Sequence, residues 1–528
     1  MAAGPFSSRP GAGGHNVERR NGHLAPALRS LLKVACFLLA ASLAEAGPDS
    51  PSRSKMFLVL NFDVEDYTTP AREGIDEIPK WLAEIMTNEG LTGTFFVIGE
   101  KARSLESRGR RDVIAAMSKH DIGSHTNHGS IHPTVTEQLE KADWAQGVQL
   151  MTEQESAGIR DLERVFQVQV RTMARHGGSY GPQLIYALGR LKIGFSGSPV
   201  SLPGRNVVWF CNTLNFSGQY DGFDDTYYRN DLFDPHFEKL KAELPELAKT
   251  TDVLSFFGGH PTKIRTEQFW DFNYYGGRNT APREWKTPEL RPLESMKTAQ
   301  DNFRRLARYL KSRDDIEITT FRDLMDVYGT QKESITQKEL SWIAEATLKS
   351  QALAADEFFS PAEAFAALAA AIAEYQRKGS VPGEIRTDRP LGPEDMPDRE
   401  PGISRLGKEE AYELAARAND LIRRAGSLPS SLETRNARIG TGSLFALFCS
   451  VYLDIVTGKS RLEYDVPAFE AYPRTNEVAI VKAVQELKTW PVHRPDLDME
   501  KIVKLTRLQL WTLKPAQRHS AQEIFLIG

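Results

Sequence analysis

Apolar positions in the first two thirds of the chain fall into short, strand-length runs separated by stretches of helical spacing. The run at 57–66, FLVLNFDVED, ends in three carboxylates, Asp63, Glu65 and Asp66. On an extended strand Asp63 and Glu65 point to one face and Asp66 to the other. Two carboxylates on one face repel unless a cation or a shared proton lies between them. Residues 78–88 have helical spacing and stop at Glu89-Gly90. A second strand is expected at 92–98, a helix at 111–119 and a long helix over 134–166. Further strand-like runs are 207–211, 253–257 and 316–319. Strands alternating with helices predict an α/β fold with a parallel sheet or barrel over 56–330.

From residue 331 the pattern changes. Strand runs become scarce and Ala-rich helical spacing dominates, which predicts an all-α domain over 331–528. Two similar units lie within it, at 358–385 and 407–432. Glu363-Ala364-Phe365 leads to Gly379-Ser380-Val381-Pro382, and Glu410-Ala411-Tyr412 leads to Gly426-Ser427-Leu428-Pro429. Each reads as an amphipathic helix stopped by Gly and Pro. Such a pair suits docking to a cell wall, or a helical bundle that covers the barrel; the pattern leaves both open.

Composition narrows the class. A chain of 528 residues is too long for one ordinary core. Its 41% apolar and 26% charged residues fit a soluble globular protein, and a net charge of −4 without a dense basic stripe argues against nucleic acid as a partner. The N-terminus adds an address. Arg19, Arg20, Arg29 and Lys33 precede or enter an apolar run at 31–43, followed by Ala44-Glu45-Ala46. This reads as an export signal or short anchor over 1–46 with a linker at 47–55, and predicts a secreted or cell-envelope protein. Beyond it only Cys211 and Cys449 remain, far apart in sequence and expected as buried thiols.

The acidic strand end has a candidate counterpart. The stretch 123–133, GSHTNHGSIHP, holds His125, His128 and His132. Neutral imidazoles with carboxylates make a Zn-type site, and an open coordination position admits water.

Together these motifs resemble the polysaccharide deacetylases, the metal-dependent carbohydrate esterases of the nodulation-factor deacetylase type, over 56–328. The resemblance implies an irregular (β/α) barrel and hydrolysis of a carbon–nitrogen, non-peptide bond: removal of acetyl groups from a polysaccharide or cell-wall glycan, with Zn2+ or another divalent metal. It makes Asp63 the catalytic base and Glu65 a metal ligand, with Asp66 less favoured. It makes His125 a ligand, with His128 and His132 competing for a second place because position 129, where the family has its second His, is Gly. Arg175, followed by Gly177-Gly178-Ser179-Tyr180, matches the Arg that orients the base, although the usual prolines are missing; a charge-assisted bond to Asp63 is expected. His176 beside it reads as incidental. His260, after the apolar run 253–257, is the implied general acid.

Candidate sugar-binding residues are Tyr180, Trp209 and Trp270; aromatics over 269–275 follow neither a strand nor a helix period. Other readings stay open at this point. A degraded scaffold that only binds glycan is suggested by Gly129, and another non-peptide amide would meet the same chemistry. Gly177-Gly178-Ser179-Tyr180-Gly181 also fits the nucleophile-elbow pattern of serine hydrolases, but that reading leaves the acidic strand end and the histidine loop without a role.

Overall fold

The strand that carries the acidic cluster, β1 (Met56–Val64), is central to the molecule, and every residue of it except Asp63 is buried. The structure, a computed structural model, describes residues 55–353 and 355–519. The expected signal at 1–46 and all but the last residue of the linker at 47–55 lie outside the described residues. Near-continuous apolar character suits a strand covered on both faces. One edge of β1 pairs in parallel with β9 (Val253–Gly259), from Phe57 to Phe62. The other edge is shared: β10 (Ile316–Thr319) takes 56–59 and β2 (Thr94–Val97) takes 61–64.

From β2 the sheet continues in parallel through β3 (Asp121–Ser124), β4 (Thr172–Ala174) and β5 (Gly194–Ser196). It passes through β7 (Thr213–Phe216) to β6 (Val207–Phe210), where the pairing becomes antiparallel. The path ends at β8 (Gln219–Tyr220) beside β9 and at a short final strand, Lys514–Pro515, beside β6. The fold is therefore α/β, an irregular barrel left open, followed by a mainly helical region. The expected long helix over 134–166 is two, Val135–Leu139 and Trp144–Phe166, each begun by a capping box at Thr134 and Asp143. Helical spacing runs through both because the break is short; the second cap sets the restart.

The two similar units of the helical region contain the helices Pro361–Lys378 and Lys408–Ala425. Gly379 and Gly426 close them with φ of 73° and 70°, left-handed values that suit glycine. These helices share a core with Gln337–Ser350 and Thr441–Val456, through Phe365, Leu368, Leu414, Phe445 and Phe448. Among the described residues three small two-stranded ribbons punctuate the region, too short to register as strand pattern.

The chain then returns to the barrel. Ile480, Val484, Leu497, Ile502 and Leu508, on or beside the helices Glu477–Glu486 and Glu500–Gln509, belong to the barrel's apolar core. Fully burying side chains of this size is worth about 1.5–3 kcal/mol each, more than surface ion pairs supply. The span expected as one helical domain, 331–528, thus feeds two cores. Cys211 and Cys449 are free and buried. Among the described residues no helix is long and apolar enough to cross a membrane.

Candidate metal centre and active site

The parallel strands β1, β3, β4 and β9 bring their C-terminal ends together, where barrel folds concentrate chemistry. β1 delivers Asp63 and Glu65, the turn after β3 delivers His125, the turn after β4 Arg175 and His176, and the end of β9 His260. Glu65 is the hub. Its Oε1 lies 2.8 Å from His125 Nε2 and 3.2 Å from His176 Nδ1, and its Oε2 accepts from Trp270 Nε1 at 2.7 Å. Asp63 Oδ2 lies 3.5 Å from His125 Nε2 and 3.8 Å from His260 Nε2. Asp66 faces away, as strand alternation requires: it accepts from the Thr68 and Thr69 amides and the Thr262 hydroxyl.

Glu65, His125 and His176 offer three ligand atoms within 4.8 Å of one another, all on buried side chains. Two imidazole nitrogens and a carboxylate suit a borderline divalent cation such as Zn2+. The ligand atoms are also held from behind: Trp270 holds the second oxygen of Glu65, and Ser130 Oγ lies 3.1 Å from His176 Nε2. Supports of this kind fix ring and carboxylate orientation at metal sites. On donor chemistry and support alike, these residues fit a divalent metal.

The second histidine is therefore not where the loop spacing pointed. His132 Nδ1 lies 2.7 Å from Glu137 Oε2, and its Nε2 faces the Tyr274 carbonyl at 2.9 Å. His128 is 44% exposed and pairs with Glu100 at 3.2 Å. Neither reaches Glu65. Gly129 adopts φ of 59°, and a Cβ there would come within 2.8 Å of Ile98 Cδ1, so the loop turns where a second ligand was sought. His176, from the neighbouring strand end, is the second imidazole that reaches Glu65, its Nδ1 3.2 Å from Oε1. Its sequence signal is no more than its place between Arg175 and Gly177-Gly178, because β4 is too short to read as a strand.

Arg175 does not hydrogen-bond to Asp63. Its Nε donates to the Gly197 carbonyl at 2.8 Å and its Nη1 to the Gly177 carbonyl. Burial lowers the Arg175 guanidinium's proton affinity, and the Asp63 charge acts against that. His260 has a partner with no motif behind it, Asp224. The His260 amide donates to Asp224 Oδ1 at 2.9 Å, and His260 Nδ1 lies 2.9 Å from Asp224 Oδ2. Nε2 is thereby left facing Asp63 and Glu65. Lys263 Nζ shares Asp224 at 3.0 Å. Nothing in the sequence around Asp224 announces this role; only the fold brings it to His260.

The electrostatics differ from residue to residue. Burial opposes charge on His260, but Asp224, Glu65 and Asp63 outweigh it and raise the group to about 10. Burial also raises Asp63, against the pull of His125 and His260. Burial works the same way on Glu65, yet His176, His260 and the imidazole hydrogen bonds bring it well below the usual carboxylate range. Burial depresses His176, which favours the neutral ring a metal needs. Asp271, pushed up by burial and then by the Glu65 charge, stands at about 7.

The three candidate sugar-binding residues are not together. Trp270 is buried against Glu65. Tyr180 is buried, with its hydroxyl 3.3 Å from Thr506 Oγ1. Trp209 lies on β6 opposite Lys514 and lines a separate cavity of about 360 Å³. Ser179 is buried and its hydroxyl has no hydrogen-bond partner, which leaves the nucleophile-elbow reading without a base.

No protein-family model matches the chain, and no curated protein matches it. Solved structures do. A mutant of a CE4-family pseudoenzyme from Bacillus anthracis aligns over 52% of this chain and 68% of its own, at 12% identity and a TM-score of 0.30. The PuuE allantoinase aligns over 53% and 93%, at 14% identity and a TM-score of 0.34. A peptidoglycan N-acetylglucosamine deacetylase aligns over 51% and 88%, at 13% identity and a TM-score of 0.29.

Proposed function

We propose that this chain is a metal-dependent hydrolase that removes acetyl groups from an N-acetylated glycan. The observation that carries the reading is the convergence of Glu65, His125 and His176 beside Asp63, with His260 across from it. Glu65, His125 and His176 would hold the metal. A divalent cation there supplies Lewis-acid polarisation of an acyl oxygen and a more acidic water.

The residues divide the proton work. Asp63 is 14% exposed, reachable by water and substrate. Its raised proton affinity suits a general base. Arg175 keeps a positive charge near that carboxylate without consuming its oxygens in a hydrogen bond. His260 is 21% exposed and stays protonated well above neutrality, as a general acid for a departing amine must. Asp224 fixes the ring so that the proton delivered is the one on Nε2. The ground for a purely glycan-binding scaffold, Gly129 in place of a ligand, is weakened by His176.

Export to the cell envelope belongs to the same proposal, because cell-wall glycan lies there. So does attachment through the helical region, whose paired repeats are its only support. The test is acetate release from chitooligosaccharide or peptidoglycan by purified protein, with and without chelator. The reading requires chelator-sensitive release, and Asp63→Asn must abolish it while metal content is retained. Loss of metal in Asp63→Asn would make Asp63 a ligand instead, and no release from any acetylated glycan by metal-loaded protein would reject the reading.

A further inference from the structure

Residues 490–494 lie far from the barrel motifs in sequence but on the rim of the site in space. The segment is stitched to two loops and to the short helix Val135–Leu139 with its C-terminal end. The Gly276 and Gly277 amides donate to the Pro491 and Val492 carbonyls at 2.8 and 3.0 Å. The Arg494 amide donates to Glu137 Oε1 at 2.8 Å, and its guanidinium reaches Glu140 at 2.5 Å. The third contact is with the Arg175–Tyr180 loop. A Cβ on Gly177 would come within 2.2 Å of the Trp490 indole, and one on Gly178 within 2.4 Å of His493 Nε2. Two consecutive glycines thus leave the space in which this segment seats.

The Trp490 indole stands edge-to-face with His176 at 5.1 Å and 89°. Phe269 stands in the same way against His260 at 4.8 Å and 75°. Both aromatics are partly exposed, whereas Trp270, Tyr67 and Tyr274 beneath them are buried. Two open aromatic side chains therefore flank the candidate centre, one beside a metal ligand and one beside the acid. Near them lies Asp271, whose carboxyl faces the Tyr275 hydroxyl and the Trp490 indole N–H as hydrogen-bond donors and feels the Glu65 and His260 charges. Asp271 is 1% exposed, and its Oδ1 has no hydrogen-bond partner. That leaves one carboxyl oxygen for a donor from a ligand.

Resting on the deacetylase reading, we propose that Trp490 and Asp271 form a sugar-ring subsite, so that substrate recognition is shared between the barrel and the C-terminal segment. A pyranose offers an apolar C–H face for the indole and a hydroxyl or amide donor on its rim for the remaining carboxyl oxygen.

The test uses the full chain, metal-loaded. Trp490→Leu keeps apolar bulk and removes the aromatic face, Trp490→Tyr restores one, and Asp271→Asn keeps the shape of the side chain. Chitooligosaccharide binding is measured by calorimetry in the Asp63→Asn background and KM in the parent, with metal content and thermal midpoint recorded for each variant. Trp490→Leu is expected to weaken binding about tenfold and to raise KM more than it lowers kcat, with metal retained and partial recovery in Trp490→Tyr. Asp271→Asn is expected to weaken binding with metal retained. Wild-type affinity in Trp490→Leu, or loss of metal along with affinity, overturns the proposal alone; the second outcome would make Trp490 a support for His176. Failure of the metal-loaded parent to bind or hydrolyse any N-acetylated glycan overturns the functional reading and the subsite with it.

Discussion

Replacing Asp224 by Asn should lower the proton affinity of His260 by a measurable and predictable amount. The carboxylate lies 2.9 Å from His260 Nδ1. At an effective dielectric constant of about 20, unit charges at that distance attract by about 6 kcal/mol. Lys263, 3.0 Å from the same oxygen, offsets part of this, and Asp63 and Glu65 remain to favour the imidazolium. A fall of about 2 pH units, or about 3 kcal/mol, is expected from the present value of about 10. The assay is an NMR titration of the His260 ring in chelator-treated wild type and Asp224→Asn. Deacetylation by the metal-loaded variant at neutral pH should fall by less than about tenfold, because His260 at about 8 still carries its proton, and the alkaline limb of the pH–rate profile should move down by about 2 pH units.

The same pair sets a stability window. His260 is raised, so its contribution is complete below its unfolded value and fades as pH rises through about 10. Asp224 is lowered to about 2, so its contribution is complete above its unfolded value and fades as pH falls through about 2. The stability difference between wild type and Asp224→Asn should therefore be largest from about pH 4, the unfolded Asp value, to about pH 8, the value expected for His260 in the variant, and fade between about 8 and 10. An unchanged His260 titration would refute the reasoning, and would assign the raised value to Asp63 and Glu65 alone.

Two further predictions concern the scaffold. Lys514 Nζ sits 2.8 Å from both oxygens of Glu363, with both side chains almost fully buried, and ties the final strand to the helical region. Lys514→Met should cost about 3–5 kcal/mol in chemical denaturation, and the double variant with Glu363→Gln less than the sum of the singles; additive costs would deny the coupling. Glu155 is fully buried, accepts the Asn127 amide and is raised by burial from 4.5 to about 7. Its contribution is complete below its unfolded value and lost as pH rises through about 7, so Glu155→Gln should remove about 3 kcal/mol of decline in stability between pH 4.5 and 8; an unchanged slope would contradict this.

Much of the barrel was legible because its long strands are long. The run around β1 carries enough apolar residues to declare a buried strand, and Ile316–Thr319 falls where its pattern placed it. β4 and β5 have three residues each and left no pattern to read, although β4 leads directly to a residue of the candidate centre. The split of Asp63 and Glu65 from Asp66 followed from strand periodicity alone. His176 did not stand out, because proximity between strand ends is a property of the sheet and not of spacing along a loop. Asp224 and Trp490 were still less accessible, since each reaches the site from a segment with no motif of its own. Trp270 stands out in the sequence as an aromatic outside any period, but its indole N–H turns inward to Glu65.

One divalent metal held by Glu65, His125 and His176 underlies every role proposed for the site. The most direct measurement is Zn2+ affinity, by competition with a chromophoric chelator, in wild type, His176→Ala, His128→Ala and His132→Gln. Stoichiometric binding is expected in wild type, His128→Ala and His132→Gln, with a loss of a hundredfold or more in His176→Ala. Undiminished binding in His176→Ala together with loss in His132→Gln or His128→Ala would contradict it.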